Sequence, residues 1–386
     1  MYSSVSINAE KNWKETKKVF DEPHKDIELE NLREEDSGRL NIRVEGVEFE
    51  TCFIKKDPKK LIVFFSGPGR KDYSKAEFWK KSYSSYFEDS SLYIIDPCNK
   101  EKNYAPTFFF GSKEKSYMSL AVYIVKKFKE IYQLKNNDIV FIGESNTGLV
   151  ALYSASLFEG SQCIALSPIV EMRIYLQVEK LLDKFKKMFD YDFMDNKFEK
   201  RTDITKFIVE NKSSKYFIIS NIRCKFDEES MKYLLSKFGR EIKIGLNVIG
   251  NLYVYITDLN VSQPHLFNPT EGFVRHIYNF LKDDDFKEKY YLDFDALNKS
   301  LYWYRKRKDE TESDQDIIKD KDKKIDKLKK DNAALKKSVD KIKSSLSYRL
   351  GNRIVETTKR RNPLSYLVIP FVILSEYLRY LKDKKR

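Results

Sequence analysis

Ser145 is the side chain whose setting most suggests chemistry. It lies in residues 138 to 157, DIVFIGESNTGLVALYSASL. That stretch reads as an apolar strand, a turn from Gly143 to Gly148, and a helix rich in Leu, Val and Ala. A serine presented on a sharp strand-to-helix turn between small residues is the layout of a nucleophile elbow, where the hydroxyl is free to attack a carbonyl. Gly143 stands two before Ser145, as the pattern G-x-S-x-G requires. Thr147 stands two after it, with Gly148 one place late. The alternative is an ordinary βα turn in which Ser145 is a helix N-cap.

The surrounding elements must hold such a serine at the end of a sheet. LNIRV and VEFETCFI, separated by Glu45-Gly46, read as a hairpin over residues 40 to 54. KLIVFFS, residues 60 to 66, is a continuous apolar run, as expected of a strand buried on both faces. Further strands are expected at 91–95, 139–142, 163–166, 215–220 and 252–256. Helices are expected at 117–134, 227–238 and 271–281, and a charged helical stretch, a possible cap, at 169–212. Alternating strands and helices predict an α/β fold with a mostly parallel sheet flanked by helices.

Composition bounds the partners. The 386 residues carry a net charge of +13, so an acidic partner is expected. No aromatic-basic RNA motif, zinc-finger spacing or Walker loop is present, which disfavours nucleic acid. The four cysteines stand singly, as reduced thiols and not as a disulfide frame or a metal site. The first residues lack the apolar core of a secretory signal. No run reaches the roughly 20 apolar residues of a spanning helix.

The hairpin, the parallel strands, the serine turn and a late histidine before a final helix resemble the α/β-hydrolase fold over residues 40 to 281. The FFSG loop, the FFFG stretch, Gly143-Glu144-Ser145 and His265 are similar to hydrolase-fold proteins found with bacterial capsular-polysaccharide genes, some of them O-acetyltransferases. The resemblance implies the chain order Ser, acid, His. It makes His265, in a Pro-flanked loop after the last expected strand, the base. His24 precedes the fold, and His276 lies mid-helix. Asp227 is the implied acid, with Glu228 adjacent and Asp258 the alternative. The oxyanion would be held by backbone N–H groups of Asn146 and of Gly69 or Arg70, Pro68 having none. Tyr104, Phe109 and Phe110 of YAPTFFFG read either as core or as an aromatic wall for a sugar acceptor. The implied function is a serine-nucleophile O-acetyltransferase or esterase on a capsular or surface polysaccharide. No cofactor is bound, no metal is needed, and acetyl-CoA is the possible acyl donor. The alternative is a non-catalytic scaffold of a membrane-associated glycan-assembly complex, its hydrolase fold degenerate.

The expected domains are a loosely packed polar lead-in at 1–37, a hydrolase-like domain at 38–285 and a charged linker at 286–315. A coiled coil at 316–350 and a basic amphipathic tail at 351–386 follow. Ile318 and Ile325 stand one heptad apart, and Leu328, Asn332, Leu335, Val339, Ile342 and Leu346 follow at alternating steps of three and four, predicting a homodimer. The tail SSLSYRLGNRIV…RNPLSYLVIPF resembles C-terminal tails of membrane-associated glycan-assembly enzymes. Its apolar run between basic clusters predicts docking on an anionic leaflet, and hence a cytoplasmic protein peripheral at the inner face of the cell membrane.

Overall fold

The structure is a computed structural model. It describes residues 16–66, 80–98, 107–189, 198–260, 271–282, 350–355 and 364–384. Positions 13, 78, 192, 195, 265, 332–333 and 336–337 are described with them. The chain divides into two compact units, Met1–Tyr302 and Trp303–Arg386.

The first unit is built on a ten-stranded sheet. Its strands are β1 (Lys25–Glu28), β2 (Gly38–Val44), β3 (Val47–Ile54), β4 (Asp57–Ser66) and β5 (Asp89–Ile95), then β6 (Ile139–Glu144), β7 (Gln162–Leu166), β8 (Lys215–Asn221), β9 (Gly245–Ile249) and β10 (Leu252–Thr257). Their order is β1-β2-β3-β5-β4-β6-β7-β8-β10-β9. β3 runs antiparallel to β2 and β5, and β9 antiparallel to β10. The other neighbours are parallel. The helices are α1 (Tyr117–Ile131), α2 (Asn146–Leu157), α3 (Met172–Val178), α4 (Leu182–Met188), α5 (Glu199–Thr202), α6 (Thr205–Glu210), α7 (Lys225–Ser236) and α8 (Glu271–Lys282). This mostly parallel, helix-flanked sheet is consistent with an α/β-hydrolase-like fold.

Side-chain alternation divides the core between the two faces of the sheet. Leu61, Val63 and Phe65 of β4 join Ile139 and Phe141 of β6 on the face covered by α1 and α2. Ile62 and Phe64 join Val140 and Ile142 on the other, against Phe273, Val274 and Ile277 of α8. The β2–β3 turn is tight because Glu45 and Gly46 both take positive φ, 49° and 80°.

Two strands escape sequence reading, and both lie at sheet edges. β1 falls in the stretch expected to be loosely packed. Its KDIE pairs in parallel with β2, and Phe20, Leu29 and Leu32 around it are buried. β9, GLNVI, is only five residues long and none of them is buried. Edge strands face water along one side and are short, so they lack the long apolar runs that mark inner strands, and β1 is charged as well.

The stretch 169–212 forms the short helices α3 to α6, inserted between β7 and β8. An isolated bridge between Glu171 and Asp203 ties its two ends. In the second unit, α9 (Leu364–Lys384) is a 21-residue helix, preceded by a helical turn at 350–355. Most of the expected coiled coil and all of the expected linker lie outside the described residues. Within the heptad, Asn332 is helical and exposed.

Candidate active site

The turn after β6 carries the strain of an elbow. Ser145 has φ 56° and ψ −120°, a conformation that a non-glycine residue keeps only when its surroundings enforce it. Its N–H donates to the Leu166 carbonyl at 2.8 Å. Its own carbonyl accepts from Gly148 N at 3.1 Å and from Ile169 N at 3.2 Å. The turn is thus clamped between the end of β7, the loop after it and the first turn of α2. A Cβ on Gly143 would stand 2.2 Å from the Thr147 carbonyl oxygen, so only glycine fits there. A Cβ on Gly148 would meet Pro168 at 2.8 Å, so the second glycine lets the Ser167-Pro168 loop close on α2. Thr147 is accommodated by bonding back across the turn. Its Oγ1 accepts from Glu144 N at 3.0 Å and donates to the Glu144 carbonyl at 2.9 Å.

Three side chains separated widely in sequence meet at this turn. His265 Nε2 lies 2.6 Å from Ser145 Oγ, and His265 Nδ1 lies 2.9 Å from Asp227 Oδ1. A carboxylate only accepts, so Nδ1 carries the proton and donates to Asp227. Nε2 is then left to accept the Ser145 hydroxyl proton. Asp227 sits in the first turn of α7, just past β8, and is fully buried, while His265 retains 19% side-chain exposure. Burial pushes the Asp227 carboxyl above its usual range. The His265 hydrogen bond opposes that shift, as do the neighbouring Ser167 hydroxyl and Cys224 thiol. The Phe226 ring packs on the imidazole at 4.2 Å between centroids.

The other acids and histidines are engaged elsewhere. Asp258 is exposed and ion-pairs with Arg223, whose Nη2 donates to Oδ2 at 3.3 Å. Glu228 pairs with Lys232 at 2.8 Å along α7. His24 is exposed near Asp26. His276 sits on α8, where partial burial lowers its pKa. Cys224 brings its sulfur within 4.8 Å of the Asp227 and His265 ligand atoms. Burial pushes that thiol up to about 11, so it stays protonated and is a poor nucleophile. A soft ion gathered by these three residues would have to break the Asp227–His265 hydrogen bond.

Asn146, the first residue of α2, is buried and places its backbone at the positive end of the helix, beside Ser145. Gly69, Arg70 and Tyr104 lie outside the described residues. Phe109 and Phe110 are not an open aromatic wall. Both are fully buried, and neither offers a face to a sugar. Phe109 N donates to Asp96 Oδ2 at 2.7 Å, which also accepts from Thr107 Oγ1 at 2.6 Å. Phe110 stacks on Phe108 at 5.6 Å and meets Phe189 edge-on at 5.8 Å, while Phe108 contacts Phe185 and Tyr175. Arg201 of the inserted segment seals this turn, donating to the carbonyls of Phe110 and Ser112 at 3.0 and 2.6 Å. Tyr175 in turn meets Phe226 at 5.2 Å. Sequence reading missed Phe226 and Ser167. Only their proximity to Asp227, and the positive φ of Ser167, mark them.

A domain of unknown function, DUF8374, is the family that matches. Its model covers residues 276–386. No curated protein matches the chain. Similar solved structures include hydrolase-fold proteins. The glycosylation-associated Gap123 complex of Streptococcus agalactiae is 17% identical over 63% of this chain, at a TM-score of 0.43, and the chain spans only 44% of that one. A capsule O-acetyltransferase of Neisseria meningitidis serogroup A is 14% identical over 66% of this chain and 100% of its own, at 0.46. A mutant of that enzyme has been solved with CoA, at 16% identity over 66% of this chain and 100% of its own, with a TM-score of 0.44.

Proposed function

We propose that this chain is a serine-nucleophile acyltransferase that moves an acyl group to a hydroxyl of a bacterial surface polysaccharide. The observation that carries the reading is the hydrogen-bonded series Ser145, His265 and Asp227 on a strained strand-to-helix turn. His265 Nε2 takes the Ser145 hydroxyl proton as Oγ attacks the acyl carbonyl. Asp227 holds the imidazole tautomer and steadies its charged form. The backbone N–H of Asn146 faces the developing oxyanion. Collapse of the adduct expels the donor's leaving group, a thiolate if the donor is acetyl-CoA, which receives the proton from His265. The acyl-serine ester remains. An acceptor hydroxyl then attacks it, with His265 as base. The new ester departs and Ser145 regains its proton. Water in the acceptor's place would make the same site an esterase. The polysaccharide acceptor and the acetyl-CoA donor follow the sequence resemblance to capsular-polysaccharide hydrolase-fold proteins.

The test is covalent labelling by a serine-reactive fluorophosphonate, followed by turnover with acetyl-CoA and glycan. Labelling should occur at Ser145 and be lost in Ser145→Ala and His265→Ala. Turnover should fall about a millionfold in Ser145→Ala, and His276→Ala should retain it. An unlabelled wild-type chain would favour the scaffold reading.

A further inference from the structure

The second unit presents an apolar surface that its own contacts leave uncovered. On α9, Phe371 is 72% exposed, Leu374 55%, Leu378 58% and Leu381 38%. These residues step by three, four and three, so they form one stripe along the helix. Glu376, in the middle of the same helix, is only 3% exposed. It is held by Arg353 Nε of the preceding helical turn at 3.4 Å and by Arg379 Nη1 at 3.3 Å. At roughly 100° per residue, Glu376 projects about 180° from the centre of the stripe. The ion pair to Arg353 therefore fixes which side of α9 faces its neighbour, and the stripe points the other way. The arrangement also turns the carboxylate of Glu376 away from the apolar surface.

The charge around the stripe says what covers it. Lys359, Arg360 and Arg361 precede the helix, and Arg379, Lys382, Lys384, Lys385 and Arg386 lie in or after its last turns, against Glu376 and Asp383. Apolar residues on one side with cations at both ends match the interface of an anionic bilayer, where acyl chains take the stripe and headgroups take the cations. Among the described residues no helix is long and apolar enough to cross a membrane. We infer that α9 docks in the plane of an anionic lipid surface, inserting Phe371, Leu374, Leu378 and Leu381, with the Arg353–Glu376 pair setting the face that inserts. Docking of this kind would bring the elbow-bearing unit to membrane-borne substrates. It does not depend on the acyl-transfer reading.

The full chain should be sedimented with phosphatidylserine/phosphatidylcholine vesicles and with phosphatidylcholine vesicles alone. Binding is expected to the first, and each flanking cation removed should weaken it about fivefold. Phe371→Asp/Leu378→Asp should lower the partition coefficient at least about tenfold, with an unchanged circular dichroism spectrum. Leu374→Trp, carried on a background with the native tryptophans Trp13, Trp79 and Trp303 replaced by Phe, should show a blue-shifted emission on addition of anionic vesicles. Ser145→Ala should bind like the parent chain, which separates this test from that of the acyl chemistry. Equal binding by the aspartate variant, no blue shift at position 374, or equal binding to neutral vesicles would overturn the inference. So would a fall in solution mass of the aspartate variant in the absence of lipid, since the stripe would then join two copies.

Discussion

Thr147 stands where the elbow pattern has glycine, and the turn tolerates it because the side chain replaces lost freedom with two hydrogen bonds. Both go to the buried Glu144 peptide. Thr147→Val keeps the shape and removes both bonds. It should cost about 1–3 kcal/mol, read as a lower Tm. It should also depress acyl transfer, because the strained Ser145 backbone relaxes. An unchanged Tm would mean the bonds do not brace the turn. Asp227 supplies the opposite case. Burial raises its carboxyl above the usual value, so the folded chain holds that proton more tightly than the unfolded chain. Its contribution to stability is full below the ordinary carboxyl pKa and is lost as pH rises through the folded value. At neutral pH, Asp227→Asn should therefore leave Tm equal or higher, while acyl transfer falls about ten-thousandfold as the imidazole loses its tautomer control. A Tm that drops by several degrees, or turnover that survives, would remove Asp227 from this role. Asp258→Asn, which breaks only an exposed pair with Arg223, should leave turnover intact.

At the scale of elements, the inserted helices α3 to α6 and the turn at 107–110 form one aromatic block. Phe108, Phe110, Phe185 and Phe189 close on one another with the fully buried side chains of a core. The block reaches the imidazole through Tyr175 and Phe226. Phe110→Ala should cost about 3–5 kcal/mol of stability, measured by denaturant titration. KM for a glycan acceptor should stay the same. A raised KM with unchanged stability would restore Phe110 as a pocket wall. The inner strands β4 to β8 were legible because they are continuous apolar runs. β1 and β9 were not, because water covers their outer edges and their sequences are correspondingly mixed.

At the scale of the whole molecule, the two units carry separate expectations. The heptad from Ile318 to Leu346, with Asn332 at an a position, argues for a parallel pair of chains. Light scattering on the full chain should give twice the mass of one chain. A chain ending before Asp316 should give the mass of one. Equal association states would place the contact elsewhere. The net charge of +13 belongs to this scale too, since it sets long-range attraction to acidic surfaces and says nothing of fold.

Local pattern determined a good deal of this protein. The apolar runs of the inner strands, the Glu45-Gly46 hairpin turn and the Gly143 to Gly148 turn are short-range signals, written within a few residues of one another. They are enough for an α/β sheet with a serine presented at a strand end. Tertiary structure decided what depends on distant parts of the chain meeting. His265 reaches Ser145 across 120 residues and Asp227 across 38. Among Asp227, Glu228 and Asp258, the sequence resemblance puts Asp227 first, but each follows a strand or opens a helix, so local pattern does not decide between them. The fold ranks them by turning Asp227 inward to the imidazole and leaving the other two to surface lysine and arginine. The same holds for YAPTFFFG: an aromatic run has one composition whether it lines a pocket or fills a core. Phe110 became core because the inserted helices pack over it, and Phe109 because its ring meets Phe65 of β4, contacts that no spacing within the run itself could encode.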